Sequence, residues 1–85
     1  MNMTLPDGQP PAEIVRQQLG LYMGPFTAKN AVQMGAKLIA GTDADRLTRA
    51  QIPALLEAIG PTLRTLLGKT SAEKVAAEIR AALAL

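Results

Sequence analysis

Apolar residues recur along this chain with helical spacing almost from end to end. Val15, Leu19, Tyr22 and Met23 keep the i, i+4, i+7, i+8 rhythm of a buried stripe, and Ile14 lies on the same side. A first helix is therefore predicted from Pro11, whose ring suits a first helical turn, to Gly24. Ahead of it, Pro6, Asp7, Gly8 and Pro10 mark residues 1–10 as a flexible N-terminal arm. From Pro25 to Ala40 the pattern is apolar nearly all round, with Lys29, Asn30, Gln33 and Lys37 as the polar interruptions. So little polar face predicts a helix at the centre of its bundle. Ala31 and Gly35, four apart, predict a close approach by a neighbouring helix.

Gly41 ends that segment, and Thr42 to Asp45 forms a polar connection. Thr48 and Gln51 have the spacing of a capping box, while Pro53 offers a competing helix start. Ile52, Leu55, Leu56, Ile59, Leu63, Leu66 and Leu67 then hold one helical phase straight through Gly60-Pro61. Preserved phase predicts one kinked rod or two nearly collinear helices, with Pro61 unable to donate to the Glu57 carbonyl. Thr70 and Glu73 predict a second capping box, ahead of a stripe of Ala72, Val75, Ala76, Ile79 and Leu83. No stretch alternates long enough for a strand. The fold class is all-α, a compact bundle of four to five helices in a single domain over residues 11–85.

Composition adds two constraints. Apolar residues make up 48% of the 85 and aromatics 2%, so the core must be aliphatic and its helices closely spaced. Mean hydropathy is +0.14, high for so small a domain, whose surface demands polar cover. Some apolar surface is thus expected to meet a partner or a second copy. No apolar run approaches the ~18–20 residues of a membrane span. The N-terminus also lacks the basic and apolar regions of a signal peptide, so a cytoplasmic location is expected.

Catalytic chemistry finds little material. Without Cys or His there is no thiolate, disulfide or imidazole chemistry. Asp43 and Asp45 are closely spaced carboxylates, but a metal would want more ligands converging beside them. Solvation and helix-start electrostatics account for the pair more simply. The glycines from Gly60 to Gly68 have the wrong spacing for a phosphate-binding loop. No enzyme activity, cofactor or metal is expected.

Nucleic-acid binding is the alternative class. Net charge is +2, and Arg46, Arg49, Arg64, Lys69, Lys74 and Arg80 concentrate in the second half. They are scattered singly, however, with Glu57, Glu73 and Glu78 among them, as on a mixed solvated surface.

The segment Leu21-Tyr22-Met23-Gly24-Pro25-Phe26 holds the only Tyr and the only Phe around a helix-breaking Gly-Pro. As architecture, both rings plug the corner between two helices. As function, one ring projects as an anchor for a partner. The run from Leu19 to Phe26, continued by Ala28-Lys29 and Val32, resembles the Tyr-Ile-Gly-Pro signature of a small helical domain. That domain is appended to bacterial serine/threonine kinases, cyclases and other signalling proteins. The similarity spans Ile14 to Ile59; this chain differs in continuing from Leu63 to Leu83, and it is expected to stand free of an enzyme. The resemblance implies an adaptor or regulatory role and brings no catalytic residues. The expected function is therefore protein–protein interaction, with another protein or with itself. Its candidate contacts are Tyr22, Met23 and Phe26 with flanking Lys29, Arg46 and Arg49.

Overall fold

A computed structural model describes residues 9–85. Apart from Gln9 and Pro10, the expected N-terminal arm lies outside the described residues. Among the described residues there are four helices: α1 (Pro11–Met23), α2 (Pro25–Ala40), α3 (Ile52–Leu67) and α4 (Lys69–Ala82). Two short 3-10 turns, Ala44–Arg46 and Arg49–Gln51, bridge α2 to α3, and no strand occurs among the described residues.

Single glycines make the two sharpest corners. Gly24 has φ 85° and ψ 153°, a backbone state that L side chains rarely adopt. Its N–H donates to the Gly20 carbonyl at 2.9 Å, closing α1, and its carbonyl accepts from Ala28 at 3.1 Å, opening α2. Gly68 repeats this with φ 84° and ψ 161°, bonding to Arg64 at 2.9 Å and Ala72 at 3.0 Å. Counted outward from these glycines, six buried positions of one helix pair coincide with six of the other, while buried Val32 and Ala36 correspond to half-buried Ala76 and exposed Arg80. Ala12, Val15, Leu19, Ala28, Ala31 and Gly35 correspond to Leu56, Ile59, Leu63, Ala72, Val75 and Ile79. The described residues form two helix pairs with partly matching burial patterns.

The competing starts of α3 both exist in sequence. Thr48 heads the second 3-10 turn, its N–H donating to Gln51 Oε1 at 2.8 Å. α3 follows from Ile52 with Pro53 in its first turn, where a missing N–H costs nothing. The helix then runs unbroken through Gly60-Pro61 to Leu67. The second capping box does not form: α4 starts at Lys69, Thr70 falls inside the first turn, and no side chain caps the end. The sharp Gly68 corner sets the start two residues too early for Thr70 to serve.

Leu19, Leu47, Ile52, Leu55, Ile59, Leu63 and Ile79 are the largest buried side chains, joined by Val15, Val32 and Val75. α1 and α3 each pack against all three other helices, so the centre belongs to them. The expectation that α2 is central is corrected here. α2 buries small residues, Ala28, Ala31, Gly35 and Ala36 with Val32, and leaves Phe26, Met34 and Leu38 exposed. Gly35 shows why. A Cβ on it would lie 2.6 Å from both Ile59 Cγ2 and Leu55 Cδ1, so α3 leaves no space for bulk on that face. Leu66, expected in the α3 stripe, is also exposed, near the helix end.

Candidate protein-binding surface

The two rings at the Gly24 corner part company. Tyr22 is half-buried against the core, and its hydroxyl donates to Glu78 Oε1 on α4 at 2.9 Å. That hydrogen bond, then burial, then the carboxylate's charge raise the phenol above its ordinary pKa. Met23 also packs against the core. Phe26, by contrast, is 75% exposed, so it does not plug the corner as the architectural expectation had it.

Phe26 begins a row. Residues four apart on a helix stack into one ridge, and Phe26, Asn30, Met34 and Leu38 form such a ridge on α2. All four are exposed, Leu38 at 71% and Met34 at 48%. Leu21, at 79%, stands exposed just before the corner. These are large apolar side chains exposed to water on α1 and α2. The row was missed because the even apolar coverage of α2 obscured its two phases. Residue size held part of the signal: apart from Val32 and half-buried Ile39, the inward phase carries Ala and Gly, while Phe26, Met34 and Leu38 share the outward one.

The cationic candidates divide. Lys29 is exposed on α2 and borders a shallow cleft with Glu13, Arg16, Gln17, Gly20 and Pro25. Arg46 and Arg49 do not join the corner. They sit on the 3-10 turns past the far end of α2, a 16-residue helix about 24 Å long. Arg49 Nη2 donates to the Leu83 carbonyl, tying the start of α3 to the end of α4.

Asp43 and Asp45 act as ties between elements. Arg16 Nη2 reaches Asp45 Oδ1 and Glu13 Oε1, both at 2.6 Å, pinning the connection to α1. Gln33 on α2 donates to Asp43 at 2.9 Å and accepts the Ala44 N–H at 3.1 Å, while Lys37 lies 3.7 Å from Asp43. Among the described residues no three His, Cys, Asp or Glu side chains gather as metal ligands. No helix among the described residues is long and apolar enough to cross a membrane.

The basic residues of the second half are mixed with acidic ones. A groove of about 380 Å³ between α3 and α4 has a floor of Leu56, Leu63 and Ala72 and holds Glu57, Arg64, Glu73 and Arg80. No protein-family model, curated protein or solved structure matches the chain.

Proposed function

We propose that this protein works without catalysis, by binding another protein along the Phe26–Met34–Leu38 row of α2. The observation that carries this reading is the exposure of that row in a domain whose core is otherwise closed. The complementary partner presents an apolar helix or strand, with acidic groups beside Lys29. Binding there would bury Phe26, the type of anchor that dominates interface energy. An adaptor or regulatory role in bacterial signalling rests on the resemblance of the Leu19–Phe26 run to the signalling domain. A nucleic-acid role would call for a continuous basic face, and the α3–α4 groove instead mixes Glu57 and Glu73 with Arg64 and Arg80.

Affinity capture from an extract of the source cells tests this, using the wild type beside a Phe26→Ser/Leu38→Ser variant. The expected result is a protein retained by the wild type and reduced about tenfold or more by the variant, with helical circular dichroism unchanged. Equal retention by both, or none by the wild type, overturns it.

A further inference from the structure

The α3–α4 groove carries a charge arrangement that no ion pair within the fold explains. Glu57, Arg64, Glu73 and Arg80 all line it and all are exposed. Among the described residues none of them makes an ion pair or a side-chain hydrogen bond. On each helix the carboxylate precedes the guanidinium by seven residues, two helical turns, so both project from one face. Between them lie small residues, Gly60 on α3 and Ala76 on α4. A Cβ on Gly60 would meet the Arg64 guanidinium at 3.4 Å, so Gly60 gives that group its place in the groove.

α3 and α4 run antiparallel through the Gly68 corner. Arg64 and Glu73 are therefore rooted at the end of the groove nearer the corner, with the Arg64 guanidinium lying back over Gly60, and Glu57 and Arg80 are rooted at the other end. Charges alternate around the four positions. Such a square meets opposite charge everywhere when a second, identical square is laid on it by a two-fold axis in the plane of contact. With the axis across the helices, Glu57 faces the second copy's Arg64, and Glu73 faces its Arg80. With the axis along them, Glu57 faces Arg80 and Glu73 faces Arg64. A two-fold contact of one patch with itself is the commonest way for a protein to pair. The net charge of +2 opposes the approach of two copies only weakly.

We propose that the α3–α4 groove is the contact surface for a second copy of this chain, set in register by the alternating Glu57, Arg64, Glu73 and Arg80. This surface is separate from the α2 row, so either can fail without the other.

Light scattering across a concentration series tests it with two charge variants and their mixture. The wild type is expected to shift from one-chain to two-chain mass as concentration rises. Glu57→Arg/Glu73→Arg makes the square all basic, and Arg64→Glu/Arg80→Glu makes it all acidic; each alone is expected to stay at one-chain mass. Mixed one to one, they are expected to recover the two-chain mass. Pairing of the wild type is also expected to weaken several-fold as salt rises from about 0.05 to about 0.5 M. That second measurement decides the matter if a variant fails to fold. A wild type fixed at one-chain mass, variants that pair alone as well as the wild type, or salt-independent pairing each overturn the proposal.

Discussion

Gly35 on α2 and Ile59 on α3 meet with no space for a Cβ between them: one built on Gly35 would lie 2.6 Å from Ile59 Cγ2. That methyl branches from the Ile59 Cβ and cannot swing aside as a chain end would. The contact explains the outward row of α2. A helix held this close to its neighbour takes small side chains on its inner phase. Its large ones, Phe26, Met34 and Leu38, lie on the phase left to solvent.

Gly35→Ala is therefore expected to destabilise the domain, although Ala favours helix over Gly by about 1 kcal/mol. Overpacking at such a contact costs about 1–3 kcal/mol, leaving a net loss that chemical denaturation can measure. A gain in stability would show that α2 and α3 are not in this close contact.

The same packing sets a contrast between apolar residues. Leu19→Ala, in the closed core, is expected to cost about 2–5 kcal/mol. Phe26→Ser and Leu38→Ser, on the exposed ridge, are expected to stay within about 0.5 kcal/mol of wild type. Urea titration of the three variants reads the difference directly.

Tyr22 offers a pH signature. Its phenol is raised above the usual value of about 10, chiefly by the hydrogen bond to Glu78. A pKa raised on folding adds stability below the unfolded value and loses it as pH climbs through the folded one. Ultraviolet titration of this single tyrosine is expected to give a midpoint above that of the unfolded chain. In Glu78→Ala the midpoint is expected to fall back toward it. An unchanged midpoint in the variant would remove the Tyr22–Glu78 bond from the account.

Pro61 sits inside α3, where it cannot donate to the Glu57 carbonyl. Pro61→Ala is expected to restore that bond and raise stability by about 1 kcal/mol or more, less than the full helix-interior penalty because Pro also restricts the unfolded chain. A lower melting temperature in this variant would mean that the proline holds a bend the packing needs.

The sequence made much of the architecture readable because long stripes of one phase carry it. Val15 and Leu19 on α1, and Ile52 to Leu63 on α3, are buried where their spacing puts them. The unbroken phase through Gly60-Pro61 likewise matches a single continuous helix. α2 was harder to read, since Phe26 and Leu38 are as apolar as Val32. Only the Gly35 contact shows which phase faces inward. The corner at Gly24 was visible, but not the separate fates of its rings, because the partner of Tyr22 lies far along the chain at Glu78. Thr70 failed as a cap for a local reason: Gly68 begins α4 before it. The distance of Arg46 and Arg49 from the corner follows from the length of α2, which sequence spacing alone does not turn into a direction.

Photo-crosslinking from position 26 tests the central claim most directly. A photoreactive phenylalanine analogue replaces Phe26 in one sample and the exposed Lys74 of α4 in another, and both are irradiated in cell extract. The account predicts an adduct with a distinct second protein from position 26 and none of that adduct from position 74. Irradiation that leaves position 26 free of any partner protein, or gives the same adduct from both positions, would contradict it.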